Sequence, residues 1–188
     1  GVLGKRSTLA VNLSTSRMIE DLADRCGARV LRTPVGEANV VEAMKRHGCV
    51  LGGEGNGGVI WPRITYIRDS LSAMALILAL MARTKQPISE LRRLVPSYTI
   101  EKRKLDLPRR DDALPALARV RRAFAGRPID EQDGLRVEFD HAWLHVRPSN
   151  TEPILRLIAE APTARQARAL LDDALEAMRP APSAPARQ

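Results

Sequence analysis

Aromatic residues make up only 3% of the 188 residues, two each of Trp, Tyr and Phe. Single-stranded nucleic acid is held largely by stacking on exposed rings, and so few rings leave no room for such a platform. The core must instead be built from Leu, Val, Ile, Ala and Met. Cysteine is nearly absent: Cys26 and Cys49 form no disulfide framework and fall in no metal-ligand spacing. They read as small buried or half-buried thiols of a reducing compartment. His47, His141 and His145 have no partner spacing that makes a metal or nucleophile site. The longest apolar stretch, residues 71–82, falls short of the roughly 20 residues of a membrane span. No signal-peptide pattern opens the sequence, so the expected setting is the cytoplasm, with no membrane partner.

What is present is ordinary in bulk and unusual in charge. Hydrophobic content is 44% and charged content 28%, with a net charge of +8 and a pI near 10.3. Such a balance suits anionic partners: nucleic acid, a membrane surface or phosphorylated metabolites. All but five of the 30 basic residues are Arg. In an Ala-rich chain this is partly a compositional habit.

The first half alternates strand and helix signals. Residues 8–13 form a short apolar run, and Ser14, Thr15 and Ser16 supply hydroxyl caps for a helix with Met18, Ile19, Leu22 and Ala23 at helical spacing. Gly27 ends it. Val30 and Leu31 centre a second strand, Thr33-Pro34-Val35-Gly36 a turn, and Val40, Val41 and Met44 a second helix closed by Gly48. Residues 49–51 are a third strand that runs straight into Gly53-Glu54-Gly55-Asn56-Gly57-Gly58. Strand, helix, strand, helix, strand predicts a three-layer α/β domain with a mainly parallel sheet. Ligands of such sheets sit beyond the carboxyl ends of the strands, where the glycine loop and residues 33–36 both fall. Val59 to Trp61 is a short strand. The stretch capped by Asp69 or Ser70 is apolar nearly all round, which predicts a buried central helix. Pro87 opens another helix, with Leu91 and Leu94 facing in.

Residues 98–110 are charged and extended and read as a linker between a domain of residues 1–97 and one of residues 111–179. The second domain reads helix, strand, strand, strand, helix: a small α+β unit with an antiparallel sheet. Its first helix turns Leu114, Leu117, Val120 and Phe124 inward. In its first strand Leu135, Val137 and Phe139 alternate with Arg136 and Glu138. Thr163 with Gln166 makes a capping box for the last helix. Residues 180–188 lack the apolar content to fold and are expected to be disordered.

Two loops carry chemistry. In the glycine loop Glu54 can accept from neighbouring sugar hydroxyls and Asn56 can donate and accept; the other reading is a flexible turn with an outward Glu. No Lys-Ser or Lys-Thr follows, so it is no P-loop. The second loop, Arg147-Pro148-Ser149-Asn150-Thr151-Glu152-Pro153, places a guanidinium, two hydroxyls and an amide within five residues. Backbone N–H groups and hydroxyls of such a turn can form an anion cradle, to which Arg147 adds a bidentate fork. A polar hairpin loop is the other reading. Glu152 suits a structural role, and Arg156 can be simply solvated. His145, two residues before Arg147, is either a structural histidine or a substrate contact.

Both loops resemble those of the α-D-phosphohexomutases, the family of phosphoglucomutase, phosphomannomutase and phosphoglucosamine mutase. Arg147 to Pro153 looks like the phosphate-binding loop of that family's last domain, and Gly53 to Gly58 like the sugar-binding loop of its third, in the family's order and at about its spacing. Asn56 stands where commoner members have serine, and Gly58 where many have histidine; this form looks more like archaeal-type members. The resemblance implies sugar binding by Glu54, Gly55, Asn56 and Gly57, with Gly36 and Glu37 near the sugar, and phosphate binding by Arg147, Ser149, Asn150 and Thr151. It implies a phosphohexose substrate, a glucose 1,6-bisphosphate-type activator and a magnesium ion bound by the family's second domain. The family's serine loop and aspartate loop, which belong to its first two domains, are not found in this sequence. The resemblance therefore implies a C-terminal half that works with N-terminal domains and is inactive alone. A basic nucleic-acid-binding module is the competing class.

Overall fold

The computed structural model describes residues 4–179, so the expected tail of residues 180–188 lies outside the described residues. The described chain forms two compact units, divided between Tyr98 and Thr99.

The first unit is built on a four-stranded sheet of order β2-β1-β3-β4. Its strands are β1 (Thr8–Asn12), β2 (Arg29–Thr33), β3 (Leu51–Gly53) and β4 (Val59–Ile60). β1 runs parallel to both β2 and β3, and β4 is antiparallel to β3. Between them lie α1 (Met18–Cys26) and α2 (Glu37–His47). Ala10 packs with Val40 and Met44 of α2, and its neighbour Leu9 with Ala23 of α1. Adjacent strand residues face opposite ways, so the two helices cover opposite faces and the expected three-layer sandwich is present. Both helices stop where the sequence says they should: Gly27 and Gly48 sit in the left-handed region, at φ 65° and 61°. At the start of α1 the Ser16 hydroxyl accepts from Met18 N–H at 3.2 Å.

α3 (Ser70–Thr84) departs from expectation. Leu71, Met74, Ile77, Leu78 and Leu80 are each 45–72% exposed, and only Ser72 is buried. An apolar composition all round predicts burial, but it fixes only what the helix could bury, not what is present to cover it. The helix is held at its start, where Asp69 accepts from Leu71 N–H (3.0 Å) and Ser72 N–H (2.8 Å). In α4 (Ile88–Arg93) Leu91 is buried as expected, whereas Leu94 is exposed. Cys49 is buried and Cys26, expected to be at least half-buried, is exposed.

The second unit holds a five-stranded antiparallel sheet of order β5-β9-β8-β7-β6. The strands are β5 (Thr99–Asp106), β6 (Ile129–Asp130), β7 (Leu135–Phe139), β8 (Ala142–Pro148) and β9 (Ile154–Ala161). The stretch expected to be a linker is therefore corrected: β5 pairs with β9 over its whole length. Its residues alternate half-buried and exposed, the signature of a strand with one wet face. α5 (Ala113–Ala123) and α6 (Ala164–Met178) share one core with the sheet, through Leu117, Val120, Leu171 and Met178 against Val137, Leu144, Leu155 and Leu157. Leu114, expected inward, is 73% exposed. On the other face of the sheet Arg136 is buried, not solvated: its guanidinium lies 4.3 Å from the Trp143 ring centroid and its Nε donates to Glu138. At the start of α6 Thr163 Oγ1 accepts from Gln166 N–H at 3.3 Å.

Candidate functional site

Three strand ends of the first unit converge on one carboxylate. Asn12 closes β1, Gly36 lies three residues beyond β2, and Glu54 follows β3 directly. Glu54 Oε1 accepts from Asn12 Nδ2 at 3.0 Å and from Gly36 N–H at 3.1 Å. In the order β2-β1-β3 the chain leaves β1 first to one side and then to the other, so Asn12 and Glu54 bracket the topological switch point, where α/β sheets bind ligands. The Glu54 side chain is only 11% exposed. The reading of an outward Glu on a loose turn is thereby excluded.

The loop after β1 is fixed from behind. Arg32 Nη1 donates to the carbonyls of Asn12 (2.8 Å) and Thr15 (2.6 Å), while its Nε and Nη2 fork onto Glu20 (2.8 and 2.7 Å). Asn12 Oδ1 accepts from Ser14 N–H and the Thr15 hydroxyl, each at 3.0 Å. Asn12 is thus held at one end and turned toward Glu54 at the other.

The glycines of this loop have separate reasons. Gly55 and Gly57 take φ of 70° and 95°, conformations that side chains disfavour. Gly58 has ordinary φ, but a Cβ there would lie 2.3 Å from Arg68 Cγ. Arg68 crosses over Gly58: its backbone N–H donates to Glu37 Oε1 at 2.9 Å, and its Nη1 stands 3.8 Å from Glu54 Oε2. The structure therefore brings Gly36, Glu37 and Glu54 together, with Asn12 and Arg68. Asn56 and Gly57 lie exposed on the loop. Asn12 and Arg68 carried no local signal, since both act over more than 30 residues of sequence.

In the second unit the loop after β8 is a closed turn. Ser149 is buried; its N–H donates to the Ile154 carbonyl at 3.0 Å. The N–H groups of Thr151 and Glu152 both point at Ser149 Oγ, at 3.4 Å each, and the Thr151 hydroxyl lies 3.5 Å away. Two backbone donors and two hydroxyls thus gather at the turn, and Arg110 donates to the Asn150 carbonyl from outside it. Arg147 stands beside this turn on β8, with its side chain 15% exposed. Its Nε faces both carboxylate oxygens of Asp133, at 3.3 and 3.2 Å. The Nη groups have no protein acceptor among the described residues and remain donors. Glu152 reaches toward Arg156 at 3.9 Å, so both stay within the loop's own scaffold.

The Asp133-Gly134 turn was not singled out in the sequence, yet it grips β8 at three points. Gly134, at φ 76°, lies so close that a Cβ would sit 2.3 Å from the Val146 carbonyl and 2.8 Å from Arg147 Cα. The Asp133 carbonyl accepts from His145 Nε2 at 2.7 Å. A carbonyl cannot donate, so Nε2 carries the proton. His145 is fully buried, and its pKa is lowered, first by burial and further by Arg136 and Arg147, against the pull of Asp133. Its burial favours the structural reading, and it shares its anchor with Arg147.

Among the described residues no three carboxylate, imidazole or thiol groups are grouped to hold a metal ion. Glu54, Glu37 and Asp133 are each engaged as above. No helix among the described residues is long and apolar enough to cross a membrane.

The sequence matches two family descriptions end to end: phosphoglucomutase/phosphomannomutase, alpha/beta/alpha domain III, over residues 1–98, and phosphoglucomutase/phosphomannomutase, C-terminal domain, over residues 102–177. A probable phosphoglucosamine mutase of Methanopyrus kandleri is 36% identical over 91% of this chain, which spans 38% of that relative's length. The structure of a phosphoglucomutase/phosphomannomutase family protein from Burkholderia thailandensis superposes with a TM-score of 0.77 at 26% identity, covering 94% of this chain and 38% of that one. Aspergillus fumigatus N-acetylphosphoglucosamine mutase, solved in complex with GlcNAc-6P and magnesium, shares the fold at a TM-score of 0.66 and 16% identity, over 93% of this chain and 42% of its own. The chain thus spans about two fifths of the length of such relatives, and it belongs to the phosphoglucomutase/phosphomannomutase family as that family's third and C-terminal domains.

Proposed function

We propose that this chain is the sugar- and phosphate-binding half of a phosphohexomutase that interconverts hexose or hexosamine 1-phosphate and 6-phosphate. In this reading Glu54, with Gly55, Asn56 and Gly57, receives sugar hydroxyls, and Gly36 and Glu37 close the same rim. Arg147, Ser149, Asn150 and Thr151 hold the phosphate. The observation that carries it is the setting of Arg147: its Nε is fixed on Asp133, its Nη donors are left over, and the Ser149 turn with its converging N–H groups lies alongside. A phosphate dianion takes such a fork and turn through charge-assisted hydrogen bonds.

The chemical step belongs to residues outside this chain. The serine that would carry the phosphoryl group, the 1,6-bisphosphate that turns over on it and the magnesium that would assist are assigned to the N-terminal domains, in a cytoplasmic enzyme. The charge-based alternative, a nucleic-acid module, draws no support from the mutase relatives, and arginines such as Arg32, Arg103, Arg121, Arg136 and Arg168 are paired with carboxylates within the fold.

The test is a titration of the 188-residue chain with glucose 6-phosphate, followed by nuclear magnetic resonance. Wild type should bind weakly, with competition by inorganic phosphate, and Arg147→Ala should lose tenfold or more. Unchanged affinity in that variant overturns the phosphate assignment. Mutase turnover by the 188 residues alone, with magnesium and bisphosphate supplied, overturns the half-enzyme reading.

A further inference from the structure

Arg68 is posed with more care than a surface arginine requires. Its backbone N–H is held by Glu37 Oε1 at 2.9 Å. Its stem crosses Gly58, where a Cβ would lie 2.3 Å from Cγ and 2.8 Å from Cδ. Because Gly58 has ordinary φ, backbone conformation does not demand glycine there; the room for Arg68 does. The guanidinium ends 3.8 Å from Glu54 Oε2 with its side chain 37% exposed, and it makes no hydrogen bond to protein among the described residues. At that distance the pair is not hydrogen-bonded, and with the Arg68 side chain 37% exposed its charge is partly screened by solvent. The cost of excluding every side chain from position 58 is therefore not explained by the pair itself.

Glu54 Oε1 is filled by Asn12 and Gly36, so Oε2 is the oxygen left to a ligand. An acceptor and a donor 3.8 Å apart suit one group that donates and accepts at once. A hydroxyl oxygen placed about 2.8 Å from both would do so, giving its proton to Glu54 and taking one from Arg68. An ammonium at the same point has no lone pair for Arg68 and would be repelled by it.

We infer that Arg68 is a substrate-contacting residue of the sugar site, which with Glu54 Oε2 binds one neutral sugar hydroxyl and rejects a protonated amine at that position. This rests on the reading of Glu54 as a sugar ligand. The gap at Gly58 exists to let Arg68 reach it.

The experiment compares glucose 6-phosphate with inorganic phosphate as ligands of the 188-residue chain, in wild type, Arg68→Ala and Gly58→Ala, with folding checked by the amide spectrum. The expected result is a threefold or greater loss of glucose 6-phosphate affinity in both variants, with inorganic phosphate unchanged. Gly58→Ala keeps the guanidinium and only displaces it, so a matching loss there separates placement from charge. Equal losses for both ligands would mean that Arg68 serves the phosphate, and unchanged glucose 6-phosphate affinity would mean that it serves neither; each overturns the inference. If wild type shows no preference for glucose 6-phosphate over phosphate, the sugar reading of Glu54 falls with it. If the preference exists and survives Arg68→Ala, only the role of Arg68 falls.

Discussion

Arg147 meets Asp133 through Nε alone, at 3.2–3.3 Å to the two carboxylate oxygens. The pair crosses 14 residues of sequence and fixes the guanidinium plane before any ligand arrives. Asp133→Asn keeps the shape but weakens that hold. A charge-assisted hydrogen bond contributes about 1.5–3 kcal/mol, of which orientation is one part. Glucose 6-phosphate affinity should fall about threefold to tenfold, less than for Arg147→Ala. Equal or tighter binding in Asp133→Asn, measured by titration, would mean that the carboxylate's repulsion of phosphate outweighs its aim.

Gly134→Ala tests the same latch through packing. The new Cβ would meet backbone atoms of Val146 and Arg147, which no side-chain rotation can clear. Overpacking costs about 1–3 kcal/mol, and a side chain in the left-handed region adds about 1–2 kcal/mol. Each kcal/mol lowers the Tm of a domain this size by about 4–8 °C. Calorimetry should show a drop of that order, and a Tm within a degree of wild type would refute the contact.

His145 makes stability depend on pH. Burial holds its pKa below the ordinary 6.5. As pH falls below that value the unfolded chain takes up a proton that the folded chain refuses. The unfolded state then binds more protons, so stability is present above about pH 6.5 and lost below it. Thermal melts from about pH 7.5 to about pH 5 should show a falling Tm, with a shallower slope in His145→Gln. Parallel slopes would exclude His145 as the source.

Leu78→Gln asks what α3 rests on. Leu78 is 63% exposed. A buried leucine truncated in a core costs about 2–5 kcal/mol, whereas a surface change stays within about 0.5 kcal/mol. The smaller figure is expected, by urea denaturation of the 188-residue chain. A loss above 2 kcal/mol would show that the helix is packed in solution.

The α/β order of the first unit was legible because its elements carry their own marks: Gly27 and Gly48 end α1 and α2, and short apolar runs mark β1 and β2, whereas the run of residues 49–51 meets β3 only at Leu51. The two loops were legible as segments, since their residues are consecutive. Partners that reach in from elsewhere were not. Asn12 and Arg68 act on Glu54 and Glu37 through single side chains or one N–H, which leave no periodicity. Asp133 follows β6, a strand of two residues, too short to announce a hairpin. β5 reads as a linker because it is so charged; in the fold Lys102, Lys104 and Asp106 lie on its exposed side, while Glu101 and Arg103, on the half-buried side, pair with Arg168 and Asp172 of α6. For α3, composition told the capacity to bury, and nothing in a sequence tells the occupant.

Asn12 and Gly36 occupy Glu54 Oε1, so three loop ends are tied together through protein groups. On the proposed reading of Glu54, a sugar arriving there would meet loops already tied to one another. Encounter should then be governed by diffusion, and rival sugars should differ in how long they stay rather than in how fast they arrive.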